Sequence, residues 1–371
     1  MKKVLFVAST AIHITNFHLP YLKSLKDKGM EVHVISNEVI KHDTIDYAYK
    51  VDFYKKIYSL RNIIAIKQIR NIFNQQQFDV IILHTTLAAA ITRCAYILSH
   101  HKKINIINMV HGYLFSVNDK IAKKICYLGV EKIFSKVTTC VITMNQEDYN
   151  IAKKYKLASK EIINVPGVGV DLKKFSPQNK INKIILRKKY GFEENDFLGV
   201  YVAEFSNRKN QTFLINNMNY ILKDFPNVKL ILIGNGKTLE ECKKLVIKSK
   251  LNKNIIFTGY TKNVREYMIM ADVAISSSKS EGLPFNIMES MACGLPVLAS
   301  NVKGHVDLIE EGKGGYLFKI HKEDFLEKFK LLIWDKNKRE YFGKYNSKRI
   351  EKYDLTTALY KIIDIYNTYI D

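Results

Sequence analysis

Asp272-Val273-Ala274-Ile275-Ser276-Ser277-Ser278-Lys279-Ser280-Glu281-Gly282-Leu283-Pro284-Phe285-Asn286-Ile287-Met288-Glu289-Ser290-Met291-Ala292-Cys293-Gly294-Leu295-Pro296 is the stretch from which the rest of the chain can be read. Residues 272–276 form a short apolar run of the kind that becomes a strand buried on both faces. Pro284 suits the first turn of a helix, where its missing N–H has no bond to lose. Gly294 and then Pro296 stop that helix. Glu281 therefore falls in the loop before the helix, and Glu289 about a turn inside it. The N–H groups of a helix start lack intrahelical acceptors and form an anion site. Two carboxylates flanking such a site suit a nucleotide sugar, with carboxylates taking hydroxyls and amides taking phosphate.

The same strand–loop–helix unit recurs outward in both directions. Near-continuous apolar runs predict strands at 4–8, 31–36, 79–84, 104–110, 138–143 and 162–165 in the first half. The second half repeats the alternation at 197–202, 228–233, 255–258, 272–276 and 296–299. Gly29 caps the helix before the second strand. Two such series predict an α/β protein of two doubly wound, Rossmann-like domains. The expected division is 1–168, a linker at 169–182 around Pro166-Gly167-Val168-Gly169-Val170-Asp171 and the polar residues after it, a second domain at 183–347, and a closing helix at 348–371. Ligands of doubly wound sheets bind outside the carboxyl ends of the strands. Two such domains facing each other would form a deep cleft.

Composition narrows the class. The chain has 371 residues, 47% of them hydrophobic, enough for sizeable cores. No run of about 18 apolar residues exists, so no membrane-spanning helix is expected. The apolar start, residues 4–8, is too short for a signal peptide and is followed by His13, Asn16 and His18. Cys94, Cys126, Cys140, Cys242 and Cys293 have no metal-ligand spacing and read as reduced thiols of a cytosolic protein. The formal net charge is +22, and residues 1–180 carry 27 Lys and Arg against 13 Asp and Glu. Such a surplus points to an anionic partner: nucleic acid, a membrane surface or a phosphorylated substrate.

Further residues sit just after predicted strands, where a ligand would bind. Gly234-Asn235-Gly236 opens a helix with glycines that allow close backbone approach to phosphate, or simply make a tight turn. His111, followed by Gly112, can donate to hydroxyls or to charge developing at a reacting centre. Residues 11–18 read as a long loop offering His13 and Asn16, and His84 and Thr85 end another strand. These four are candidates for holding an acceptor; capping of the next helix by Thr85 or Thr86 is the plainer account. No two aspartates stand two apart, so the chain lacks the D-x-D that a metal-chelating transferase uses to hold a divalent ion on a diphosphate. Residues 54–73 hold Lys55, Lys56, Arg61, Lys67 and Arg70 without an acid. Ile57, Leu60, Ile64, Ile69, Ile72 and Phe73 fall roughly on one face. That is the pattern of a basic amphipathic helix able to lie on anionic lipid, or of a surface helix packed on its own sheet. Residues 120–136 pose the same choice.

The stretch from Glu281 to Glu289 resembles glycosyltransferase family 4, retaining enzymes of the GT-B fold, whose signature is two glutamates separated by seven residues. The resemblance is specific over residues 197–318 and looser before them. It implies that Glu281 contacts hydroxyls of the donor sugar and that Glu289 holds the ribose. Gly282, Leu283, Pro284, Phe285 and Asn286 would offer amides to sugar and phosphate, and the loop Thr258-Gly259-Tyr260 would lie against the base. His111 would line the sugar side. Lys209 matches a lysine that neutralises the leaving diphosphate. Its usual arginine partner is replaced by Glu204, and Arg208 stands near enough to supply that charge. The last helix of the family crosses back to the first domain.

The resemblance, together with the missing D-x-D, implies a retaining, metal-independent transferase that looks like the bacterial capsule or exopolysaccharide type. It would take a nucleotide diphosphate sugar, a UDP-sugar, to a glycan or polyprenyl-diphosphate-linked acceptor at the inner face of the plasma membrane. No cofactor and no nucleic-acid partner are expected. A sugar-nucleotide epimerase of the same fold is the alternative enzyme. A basic nucleic-acid-binding protein is the alternative class, for which no docking motif is visible.

Overall fold

The computed structural model describes residues 1–54, 59–99, 103–117, 119–177 and 180–370. The chain divides into two compact units, Met1–Gly169 with Thr356–Asp371, and Val170–Leu355. The first contains a seven-stranded sheet: β1 (Lys3–Val7), β2 (Glu31–Ser36), β3 (Tyr47–Lys50), β4 (Val80–His84), β5 (Asn105–Val110), β6 (Cys140–Thr143) and β7 (Glu161–Asn164). Their spatial order is β3-β2-β1-β4-β5-β6-β7, parallel at every pairing. The second contains β8 (Phe197–Val202), β9 (Val228–Ile233), β10 (Ile255–Gly259), β11 (Val273–Ser276), β12 (Val297–Ser300) and β13 (Gly315–Phe318). Their order is β10-β9-β8-β11-β12-β13, again parallel.

Helices cover both faces of each sheet, which is why β4 and β12 are buried along their whole length. The first core gathers Leu5, Val7, Ile35, Ile81, Leu83 and Ile106 with Ala65, Ile69 and Phe73 of the helix Asn62–Gln75. The second packs Tyr201, Leu230, Leu232 and Ile275 against Phe318, Phe325 and Phe329. Strand order reverses between β1 and β4 in one unit and between β8 and β11 in the other. Those are the points where doubly wound sheets bind ligands.

Several expectations need correction. Residues 11–18 are not a loop: Ala11–Phe17 is helical and Leu19–Asp27 forms a second helix. The first helix start is satisfied by a distant residue, Asn37, whose Oδ1 accepts the Ala11 N–H at 2.8 Å, a cap that local sequence does not show. Two edge strands, β3 and β13, are additional. β3 is half exposed and only four residues long, so it lacks the apolar run that betrays a central strand. The helix Lys180–Lys189 begins inside the expected linker, at its last three residues, and runs on within the second unit. Lys336–Arg349 and a 3₁₀ turn at Ile350–Tyr353 belong to the second unit.

The final helix starts at Leu355 and runs to Ile370, and from Thr356 onward it belongs to the first unit. There Tyr366 packs edge-on against Phe6, Asn105 donates to the Tyr369 carbonyl at 2.8 Å, and Lys2 donates to that of Ile370 at 2.6 Å. Of the basic segment 54–73, residues 55–58 lie outside those described. Ala65, Ile69, Ile72 and Phe73 form the buried face of its helix. Leu60, Ile63 and Ile64 are exposed, so Leu60 and Ile64 do not belong to the packed face. The helix Ile121–Phe134 exposes still more apolar surface, with Ile121, Ile125 and Ile133 in solvent and Glu131 its one fully buried residue.

Candidate active site

The second unit places Arg208, Lys209 and Glu281 together at the carboxyl ends of β8 and β11. Lys209 Nζ donates to Glu281 Oε1 at 2.6 Å, and Arg208 Nη1 donates to Oε2 at 3.0 Å and to the Ser280 carbonyl at 2.8 Å. Glu281 and Lys209 are nearly buried, whereas the Arg208 side chain is half exposed. Burial alone would raise the Glu281 carboxyl, but Lys209, then Arg208, then the neighbouring His305 overcome it and hold it down at about 2. Burial pulls the Lys209 ammonium below its ordinary value, with Glu281 opposing. The carboxylate is thus ionised and engaged by both cations.

The loop that carries the cations is fixed from several sides. Tyr201 OH donates to the Lys209 carbonyl at 2.9 Å, and Ser277 Oγ reaches the Lys209 and Asn210 carbonyls. Lys279 N donates to the Arg208 carbonyl at 2.8 Å, joining the two loops directly. Asn210 closes the turn at φ +57°, a left-handed conformation that asparagine tolerates better than most residues. Glu204 is exposed, its backbone carbonyl accepts from Gln211, and its carboxylate adds, after Glu281, to the negative charge acting on Lys209. Arg208, not residue 204, is the arginine that stands with Lys209 over Glu281.

Glu281 precedes the helix Phe285–Ala292, for which Pro284 is the N-cap residue in extended conformation. Gly282, Leu283, Phe285 and Asn286 surround that helix start. Gly304 packs its backbone so closely on the Gly282 carbonyl that a Cβ would lie 2.4 Å from the oxygen. Glu289, inside the helix, has its carboxyl pushed up to about 7 by burial, opposed by the charge of Lys174. Gly234 and Gly236 have a protein-internal reason to be glycine. A Cβ on either would stand 2.2 Å from the Ala203 or Phe205 carbonyl oxygen. The glycine pair lets the loop after β9 lie on the loop after β8, so its glycines are explained without a phosphate. Tyr260 after β10 is exposed and free to meet a planar ring. His305 escaped sequence reasoning. It is fully buried, its Nδ1 lies 2.7 Å from the Ser300 carbonyl, and its charge coupling to Glu281 arises because Gly304 brings the two loops together.

In the first unit, His13, His84 and His111 come together with His18, the residue between the helices Ala11–Phe17 and Leu19–Asp27. One ring nitrogen from each lies within 4.8 Å of the others. His18 Nε2 is 3.2 Å from His13 Nε2, and His84 Nδ1 is 3.1 Å from His111 Nε2. Linear spacing gives no metal pattern for these four; the order of β1, β4 and β5 in the sheet assembles them. His84 is wholly buried and stacked on Phe6, and its Nδ1 faces His111 and not solvent, so it offers no direct contact to an acceptor in this conformation. Asn16 is exposed on its helix. Thr85 does not cap the helix after it. It holds φ +67°, unusual for a β-branched residue, and its Oγ1 accepts the Ser9 N–H at 3.0 Å.

Comparison with known proteins agrees with this architecture. Residues 182–349 match the family described as "Glycosyl transferases group 1", and residues 3–146 match "Glycosyl transferase 4-like". The chain is a glycosyltransferase of the GT-B fold. It is 29% identical over its whole length to a protein described as a putative glycosyltransferase EpsD from Bacillus subtilis (strain 168), covering 97% of that relative. It is 25% identical over 82% of its length to the Escherichia coli UDP-Gal:alpha-D-GlcNAc-diphosphoundecaprenol alpha-1,3-galactosyltransferase, covering 81% of it. Among solved structures, sucrose-phosphate synthase from Thermosynechococcus elongatus superposes with a TM-score of 0.82 at 16% identity, over 99% of both chains. It is also 25% identical over 94% of its length to a protein described as the capsular polysaccharide biosynthesis glycosyltransferase CapM from Staphylococcus aureus, covering 93% of that relative. Among the described residues, no helix is long and apolar enough to cross a membrane.

Proposed function

We propose that the chain is a retaining glycosyltransferase of family 4 that moves a sugar from a UDP-sugar to a lipid-linked glycan acceptor in bacterial cell-surface polysaccharide synthesis. The observation that carries this reading is the engagement of Glu281 by Lys209 and Arg208 beside a helix start. Two cations and a row of amides suit a diphosphate, and an ionised carboxylate among them suits sugar hydroxyls. Lys209 and Arg208 neutralise the diphosphate as it leaves, which supports catalysis without a divalent ion on the phosphates. Glu289 takes the ribose hydroxyls and Tyr260 the base. In the first unit His111 donates to the sugar or to developing charge, and His13, Asn16 and Thr85 contribute to the acceptor side.

The bond from the sugar's anomeric carbon to the diphosphate breaks, and the bond to the acceptor oxygen forms on the same face. The acceptor proton passes to a leaving phosphate oxygen. The relative that acts on a diphosphoundecaprenol-linked acceptor supports a polyprenyl-diphosphate substrate here. The basic, apolar-exposing helices Asn62–Gln75 and Ile121–Phe134 support docking on an anionic inner membrane face.

The test is incubation with a panel of nucleotide sugars, scoring slow donor hydrolysis and transfer. One UDP-sugar should be consumed, with no stimulation by added Mg²⁺ or Mn²⁺. A strict requirement for either ion would refute the metal-independent phosphate site. Interconversion of the sugar without release of nucleotide would favour an epimerase.

A further inference from the structure

The histidine cluster of the first unit has more in it than one hydrogen-bond donor requires. His13 and His18 follow β1, His84 ends β4 and His111 follows β5, at the point where strand order reverses. Two nitrogen pairs stand 3.2 and 3.1 Å apart, and all four residues bring a nitrogen within 4.8 Å of the rest. Ligand nitrogens bound at about 2.0–2.1 Å around a tetrahedral ion stand about 3.3 Å apart. Small rotations of the rings therefore complete such a set. Hydrogen bonding within the cluster leaves it incomplete, since His18 Nδ1 and His84 Nε2 are buried with no partner among the described residues.

We propose that His13, His18, His84 and His111 bind one divalent transition-metal ion. Four neutral imidazoles suit borderline ions such as Zn²⁺, Co²⁺ or Ni²⁺, whereas Mg²⁺ and Ca²⁺ take oxygen ligands. The ion ties the helix Ala11–Phe17 to the ends of β4 and β5. Resting on the function proposed above, it also sets a tautomer: with His111 bound through Nε2, its hydrogen stays on Nδ1, available to a substrate. This ion is separate from the donor phosphates, which Lys209 and Arg208 serve in the other unit.

The test uses full-length protein made without a polyhistidine tag, loaded with Zn²⁺, dialysed into metal-free buffer and assayed by mass spectrometry for metal. About one ion per chain is expected, and Co²⁺ in its place should give the visible bands of nitrogen-ligated tetrahedral cobalt. Zn²⁺ should raise the melting temperature of the wild type. His18→Gln and His84→Gln should each weaken Zn²⁺ binding by at least the roughly tenfold that loss of a supporting group costs. His321→Gln, an exposed residue of the second unit, should not. Should the core variants fail to fold, His13→Gln, whose ring is less enclosed, decides the matter. A wild type that retains no stoichiometric ion would overturn the proposal, leaving a metal-free chain of imidazole hydrogen bonds. So would a His13→Gln protein that binds Zn²⁺ as the wild type does. Binding is measured without sugar nucleotide, so its outcome is independent of the transfer reaction.

Discussion

Glu281→Gln separates the charge of this side chain from its shape. In the wild type the carboxyl lies at about 2 instead of its ordinary 4.5. At about 1.36 kcal/mol per pKa unit, that gap corresponds to about 3 kcal/mol of folded-state stability. Because the folded pKa is the lower one, this stability is present above about pH 4.5 and is lost as pH falls toward 2. It is fully expressed at pH 7, where the amide leaves Lys209 nearly buried without its counter-charge. Arg208 is half exposed and its share is screened, so about 2–3 kcal/mol is the working figure. For a unit of this size each kcal/mol moves the melting temperature by roughly 2–4 °C, giving a fall of about 4–12 °C at pH 7.

Calorimetry or circular dichroism reads that shift, and uridine diphosphate sharpens it. The nucleotide should recover more stability in the variant than it adds to the wild type, because its diphosphate supplies the charge that Lys209 and Arg208 have lost. Transfer should fall at least roughly tenfold, since charge-assisted hydrogen bonds contribute about 1.5–3 kcal/mol. A melting temperature within about 2 °C of wild type would refute the electrostatic argument. Unchanged kcat/KM would refute the donor-binding role.

Three further outcomes follow from the same geometry. Lys209→Ala should cut kcat sharply, and Arg208→Ala should do so too if it replaces the arginine displaced by Glu204; a silent Arg208→Ala would show that backbone amides carry the second phosphate charge. Glu289 binds a proton in the folded protein up to about pH 7 and in the unfolded chain only to about 4.5, so its burial costs nothing below 4.5 and most above 7. Glu289→Gln should therefore gain stability relative to wild type between pH 5 and pH 8 in paired melts; parallel curves would show that Glu289 is solvated. Replacing Arg61, Lys67 and Arg70 by Gln should weaken binding to phosphatidylglycerol vesicles at low salt by on the order of a hundredfold, at about 1 kcal/mol per charge. Equal co-sedimentation of variant and wild type would exclude the helix Asn62–Gln75 as an anchor.

What the sequence determined by itself is the part of the protein set by short-range rules. Buried parallel strands need unbroken apolar runs, so β2, β8 and β9 could be placed to the residue from 31–36, 197–202 and 228–233. Pro284, Gly294 and Pro296 bounded the helix that carries Glu289, because missing donors and positive φ are properties of single residues. β3 and β13, each four residues long and neither buried throughout, were not legible as apolar runs.

Tertiary structure decided what depends on contacts between distant segments. Asn37 turned residues 11–17 into a helix by capping it across 26 residues. The approach of Gly234 to Ala203 and of Gly236 to Phe205 accounted for glycines whose local sequence fits an anion loop equally well. Arg208 proved to share Glu281 with Lys209 only because β8 and β11 are neighbours, which brings Glu281 to residues 73 and 72 positions away along the chain. The four histidines have no motif in one dimension. They meet because strand order reverses at β1 and β4, and a reversal of strand order is a property of the sheet, not of any local run of residues.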